Sequence, residues 1–333
     1  MKNQLLFTVL ATITIGGCSS SQGDGATFTT AAPTEPAADA GDPNGTFGAR
    51  VDAEAPDAAP PKLVFYANTD TTLYQLDPDD LAKPMVKIGD FDCVGPGAGT
   101  SVMTDIAVDR TGKVYGVSPA AAWPLEIKDG VVHCEAKWPL AYGTHFNGLT
   151  FAPENTVDVT EVLVGGNAAG ELYRIDAGTG SATQIGTLGT DAVTGLPWTV
   201  SGDMVFLANG GNPVGYATVR TCSNPPTTCA QNDTLLEIDV KALKPGKQSV
   251  AKAVRGVVNK GTACTNAASP KGFGSVFGVV AFKDKVYGFS RRGDFIEIQN
   301  DTGAGCLEWS RSDLDFAGAG VTTIAPITAP PPR

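Results

Sequence analysis

The sequence predicts an all-β fold in which one four-stranded unit repeats around a ring. Three observations predict it. Short runs of β-branched and aromatic residues recur through the second half of the chain, bounded by Gly, Asn and Asp. Three short patterns each occur five times. The repeating part also begins in the middle of the unit and ends on a lone first strand.

Composition narrows the function classes. The chain has 333 residues, 24 Lys+Arg against 35 Asp+Glu, and a net charge of −11. It therefore lacks a basic nucleic-acid footprint, and no nucleic-acid partner is expected. Only 18% of residues are charged and heptads are missing, which excludes a coiled coil. The recurring apolar runs exclude full disorder.

The first pattern, strand A, is a small residue followed by alternating apolar positions: 105–108, 148–151, 195–198, 278–281 and 320–323. Strand B follows a turn at 64–67, 114–117, 162–165, 205–208 and 286–289. Strand C has period two, at 73–76, 124–127, 172–175, 235–238 and 295–298. A weaker strand D falls at 86–89, 131–134, 183–186, 249–252 and 307–309. Turns such as Arg110-Thr111-Gly112-Lys113 supply the hairpin signals.

A four-stranded unit repeating every 42–47 residues or about that is the period of a β-propeller blade. One interval, Gly195 to Gly278, is far longer and holds a Cys- and Pro-rich insert at 210–233. It is read as one blade with excursions, because strands B and C occur there once. Two blades there, six in all, is the alternative. The expectation is five four-stranded blades over 62–327, with the C-terminal strand A completing the N-terminal blade and removing the sheet edges.

Two resemblances follow. The fragment Leu172-Tyr173-Arg174-Ile175-Asp176 with Thr183-Gln184-Ile185-Gly186 resembles repeats of secreted bacterial propellers, a fold-level likeness without a catalytic motif. At the N-terminus, Lys2 precedes an apolar run from Leu5 to Ile15, too short to span a bilayer. Ile15-Gly16-Gly17-Cys18 then resembles the lipobox of bacterial lipoproteins. That resemblance implies a signal peptide at 1–17 and lipidation of Cys18. Ser19 after the cysteine favours the outer membrane, so the expected location is the bacterial cell envelope with the lipid as membrane partner.

Residues 18–61 read as a disordered tether, and 328–333 as a disordered tail. Asp24, Glu35, Asp39, Asp42, Asp52, Glu54 and Asp57 face only Arg50 there. Self-repulsion extends such a segment, and about 43 flexible residues reach roughly 35 Å.

Seven cysteines in a secreted chain leave six to pair once Cys18 carries lipid. The repeat chooses among the fifteen connectivities. Cys93 and Cys134 occupy the same two positions of one blade as Cys264 and Cys306 do in another. The expected bridges are Cys93–Cys134, Cys264–Cys306 and, inside the insert, Cys222–Cys229. A metal site is the poorer reading: no Cys-x-x-Cys occurs, and His133 and His145 stand apart.

In a propeller, residues that start strand A or end strand B share one face. The starters are Asp105, Asn147, Thr194, Phe277 and Ala319; the enders are Asn68, Ser118, Asn167, Asn209 and Ser290. Asn68, Asp105, Ser118, Asn147, Asn167, Asn209 and Ser290, with His145 and Trp123 nearby, form the expected ligand rim. Aromatic and amide groups suit a sugar or a peptide, although Asn and Ser also make turns for their own sake. Trp138, Trp198 and Trp309 are expected in the core.

Catalytic signatures are poor. No Gly-x-Ser-x-Gly, phosphate loop or dinucleotide fingerprint occurs, and Asp77-Pro78-Asp79-Asp80 reads as a turn. Paired carboxylates for glycoside hydrolysis require two converging acids, and only Asp105 is so placed. The expected function is a monomeric, lipid-anchored binding module for a protein or glycan, without catalysis, cofactor or metal. The alternative is a metal-dependent, lactonase-like hydrolase in which Asp105, Asn147 and Asn209 imitate part of a ligand set that lacks its glutamate. A third reading is a scaffold whose outer D strands engage a partner.

Overall fold

The computed structural model describes residues 63–325, apart from 99, 120, 141–144, 209–211, 224–227 and 263. The expectations for Cys18, the tether and the tail lie outside the described residues.

The described chain is all-β. Its strands are β1 (Phe65–Asn68), β2 (Thr72–Leu76), β3 (Val86–Phe91), β4 (Asp105–Val108), β5 (Val114–Val117), β6 (Ala121–Lys128), β7 (Val131–Cys134) and the short β8 (Trp138–Pro139). There follow β9 (Phe146–Ala152), β10 (Val162–Asn167), β11 (Glu171–Ile175) and β12 (Ala182–Thr187). Next come β13 (Trp198–Leu207), β14 (Val214–Thr221), β15 (Thr234–Ile238) and β16 (Ala251–Val257). The last are β17 (Val276–Phe282), β18 (Lys285–Ser290), β19 (Asp294–Ile298), β20 (Gly305–Ser310) and β21 (Gly318–Val321). One 3-10 turn, Val240–Ala242, is capped by Asp239, whose side chain accepts from the Lys241 N–H at 3.1 Å.

These strands make four-stranded antiparallel sheets: β9 to β12, β13 to β16, and β17 to β20. In a further, larger sheet, β21 pairs with β1, placing Phe65 opposite Val321 and Asn68 opposite Gly318. β1 continues through β2 to β3. A short parallel pairing of β3 with β7 joins this set to β7, β6, β5 and β4.

Turn chemistry explains the hairpins. Asp109 Oδ1 accepts from the Thr111 and Lys113 N–H groups at 2.8 and 3.0 Å, and Gly112 takes φ 88°. Asp176 does the same with Gly178 and Thr179, and Gly180 supplies φ 74°. A short carboxylate that bonds its own backbone two residues on is the standard device for such a turn.

The long interval departs from the expected register. Segments 195–198 and 205–208 are not strands A and B: Trp198 through Leu207 is one ten-residue strand. The true partner is β14, inside the stretch expected to be an insert. A break in the β13–β14 pairing between Val200 and Met204 lets one strand run through both apolar patches. The interval therefore yields one sheet, as expected, with its strands reassigned.

The first strands of the sheets pack against one another in series: β4 on β9, β9 on β13, β13 on β17, β17 on β21, and β21 on β4. The small residues that mark strand A make this approach feasible. A Cβ on Gly202 would lie 2.3 Å from Phe277 Cα, and one on Gly278 would lie 2.5 Å from Ala319 N. Between the sheets lie apolar clusters. Val162, Leu172, Ile185, Met204, Phe206 and Leu236 share one. Phe65, Phe289, Phe295 and Phe316 share another, with Phe289 and Phe295 ring centroids 4.8 Å apart. Each such side chain contributes about 1.5–3 kcal/mol on burial.

All three expected bridges are present: Cys93–Cys134, Cys222–Cys229 and Cys264–Cys306. Trp138 and Trp198 are buried, and Trp309 packs against the Phe65 cluster.

Candidate functional site

Five segments leading into the packed first strands converge on one open cavity of about 320 Å³. Thr104 precedes β4, Asn147 lies in β9, Ser201 in β13, Phe277 in β17, and Ala317 precedes β21. Val102, Asp70 and Arg291 complete the lining. The last two come from turns: Asp70 from that between β1 and β2, Arg291 from that between β18 and β19.

Asp70 and Arg291 form a two-pronged ion pair, with guanidinium nitrogens 2.6 and 2.7 Å from the two carboxylate oxygens. The Asp70 hydrogen bond pushes the Arg291 pKa still higher. Asn147 Nδ2 donates to the Val200 carbonyl at 3.2 Å, which orients its amide. Ser201 Oγ accepts from Arg220 Nη2 and Nε at 2.6 and 3.0 Å. Arg220 Nε also lies 3.2 Å from the buried Asp233. Burial pushes the Asp233 carboxyl above its usual pKa, and the Arg220 charge opposes that rise. Thr104 Oγ1 is engaged with the carbonyls of Val117 and Phe146 at 2.9 and 3.2 Å.

Next along β4 and β13 stand two fully buried acids, Asp105 and Asp203, close enough to couple. Asp105 Oδ1 accepts from Ile106 N–H at 2.8 Å and Ala319 N–H at 3.1 Å; Oδ2 accepts from Leu149 N–H at 2.6 Å. Asp203 accepts from Met204 N–H at 2.5 Å and Val279 N–H at 2.9 Å. The two side chains thus tie β4 to β9 and β21, and β13 to β17. Burial raises both carboxyl pKa values well above the usual range, and the Asp203 charge adds to the rise at Asp105.

Of the nine residues expected on a ligand rim, Asn147 lines the cavity. Asp105 lies beyond it, buried. Asn68 is buried and its Nδ2 donates to Thr69 O and Met103 O at 2.9 and 3.1 Å. Ser118, Asn167 and Ser290 spend their polar atoms on the turns they begin. Ser118 Oγ accepts from Ala121 N–H, Asn167 Oδ1 from Ala169 and Glu171 N–H, and Ser290 Oγ from Arg292 and Asp294 N–H. Trp123 is not on the face: it is buried in a core cluster with Met103, Ile106 and Leu125, because it shares one side of β6 with Ala121 and Leu125, which pack into the same cluster. His145 is exposed beside β9. Asn209 lies outside the described residues. The segment before it, Val205 to Leu207, belongs to β13. Thr194, read as a strand starter, instead bonds Asp191 in a turn before β13.

The sequence reading missed Asp203, Ser201, Asp70 and Arg291. A signal for Asp203 existed: Asp203-Met204-Val205-Phe206 repeats the acid-plus-apolar pattern of Asp105-Ile106-Ala107-Val108. Nothing local marks Asp70 and Arg291 as partners, since they are 221 residues apart.

Asp105 and Asp203 are fully buried and their carboxylates bond five backbone N–H groups, so the pair turns no solvent-facing oxygen toward a cation. Among the described residues, Asp92, Cys93 and Cys134 also converge, but these cysteines are bonded to each other.

No family model matches the chain, and no curated protein matches it. Among solved structures, a protein of unknown function from Bacteroides caccae aligns with 78% of this chain and 99% of its own, at 7% identity and a TM-score of 0.41.

Proposed function

We propose that this protein is a lipid-anchored binding module of the bacterial cell envelope, built on a closed five-bladed propeller whose ligand site is the cavity around Asn147. The observation that carries the reading is the convergence of five separate chain segments on that cavity. In a propeller these segments are the leading ends of the innermost strands, and the pairing of β21 with β1 is the seam. The series of packed first strands supports the same ring. Cys18, carrying lipid, would hold the ring at the outer membrane through the acidic tether.

The reading is a binder and not a catalyst. The acids nearest the cavity have their oxygens occupied by backbone N–H groups, and the cavity's own acid is paired with Arg291. The ligand is expected to be an envelope protein or glycan.

The test uses the full-length protein as bait on a glycan array and on detergent-solubilised envelope, beside an Asn147→Ala, Ser201→Ala variant of equal melting temperature. The wild type should retain a ligand that the variant loses. Equal retention by both would reject this cavity as the site. For the anchor, Cys18→Ser should move the protein from the membrane to the soluble fraction.

A further inference from the structure

The chemistry of the cavity selects among ligand classes, and this inference rests on the cavity being the binding site. We propose that it takes an uncharged saccharide, one pyranose ring deep. Three features point to that class.

The charges are already balanced. Asp70 and Arg291 satisfy one another through two hydrogen bonds. The next cation inward, Arg220, is committed to Asp233 and Ser201. A carboxylate or ammonium entering the cavity would meet no unpaired counter-charge, and a neutral ligand needs none.

The polar groups suit hydroxyls. A hydroxyl both donates and accepts. Asn147 lines the cavity, spends Nδ2 on the Val200 carbonyl, and offers Oδ1 as a further acceptor. Each carboxylate oxygen of Asp70 has more than one lone pair, and the guanidinium has five N–H donors, of which two bond Asp70. The ion pair is thus a rigid, planar array of donors and acceptors that adjacent ring hydroxyls can bridge.

The remaining wall is apolar. Val102, Phe277 and Ala317 line the cavity. A pyranose has a C–H face whose weakly positive hydrogens suit the negative face of an aromatic ring. At about 320 Å³, the space stands at the small end of ligand pockets, about 300–1,000 Å³, which favours a single ring over a folded protein surface.

The experiment titrates the full-length protein by calorimetry and saturation-transfer NMR. The probes are glucose, galactose, mannose and N-acetylglucosamine, with glucuronic acid and glycylglycine as charged controls. The expected result is binding of at least one neutral sugar, unchanged by added salt, and loss of the charged controls. Asn147→Ala should weaken it by roughly tenfold, the worth of about one hydrogen bond, and Phe277→Ala by more. Should Phe277→Ala fail to fold, Phe277→Leu, which keeps the bulk and removes the ring, replaces it. Binding of glucuronic acid or glycylglycine alone, still weakened by Asn147→Ala, overturns the saccharide and leaves the site standing. Neutral-sugar binding that ignores both variants overturns the site as well. Failure of every neutral sugar to bind overturns the saccharide, and the Asn147→Ala, Ser201→Ala capture experiment then decides the cavity separately.

Discussion

Asp105 and Asp203 stand 98 positions apart in the chain by their numbers and meet side by side with no solvent exposure. Two adjoining carboxyls that are cut off from water resist ionising together, so the pair favours sharing a proton and both pKa values stand well above the usual range. The backbone N–H groups around them satisfy the charge that remains.

That pair makes stability fall as pH rises. Both folded pKa values are raised, so the folded state binds more protons than the unfolded chain once pH exceeds the ordinary carboxyl value of 3.8. The stabilisation is fully present below that value and is lost as pH climbs through the folded pKa, at up to about 1.4 kcal/mol per pH unit per proton. The pair's contribution to the melting temperature should therefore decline from pH 4 upward. In Asp203→Asn this decline should flatten, while an N–H of Met204 or Val279 loses its acceptor at about 1–3 kcal/mol. Melting curves of both proteins across pH 4–9 check this; parallel pH profiles would count against the shared proton.

Gly318 is a position where a methyl group cannot fit. A Cβ there would lie 2.0 Å from Asp105 Oδ1 and 2.6 Å from Asp105 Cα. Gly318→Ala should destabilise by about 1–3 kcal/mol or more, by overpacking against backbone. Denaturant unfolding with an unchanged m-value is the measurement.

Removing residues 318–333 deletes β21 and strips β1 of its partner along Phe65 to Asn68. An exposed apolar edge results, and such edges template association. The truncated protein should aggregate or melt far lower than the full chain, seen by size-exclusion chromatography and thermal scans.

Arg220→Ala leaves the buried Asp233 without its counter-charge. Stranding one member of a buried pair costs about 3–5 kcal/mol. The loss should be visible in the melting temperature, and Asp233→Asn combined with Arg220→Ala should recover part of it.

The bridges should rank by loop length. Cys93–Cys134 and Cys264–Cys306 close separations of 41 and 42 residues, against 7 for Cys222–Cys229. In the chain-entropy account this is about 4 kcal/mol for either long loop and about 2.5 for the short one. Paired Cys→Ser variants compared by denaturant midpoint give the order.

Local patterning made the strands, most hairpin turns and all three disulfides legible, because period-two alternation, Asp and Gly turns, and the recurrence of Cys at equivalent repeat positions are properties of short segments. It placed β17 to β20 and the β1–β21 partnership correctly. It failed at 195–221, where two apolar patches belong to one continuous strand, since an interruption in pairing leaves no mark on composition. It also could not separate an Asn that lines a cavity, such as Asn147, from one consumed by its own turn, such as Asn167. Those residues are chemically identical and differ only in what surrounds them. The ion pair of Asp70 with Arg291 and the contact of Asp105 with Asp203 were decided by tertiary structure alone. None of these acids has its partner within reach until distant turns and strands pack together, and for Asp105 and Asp203 burial then opposes the charged form.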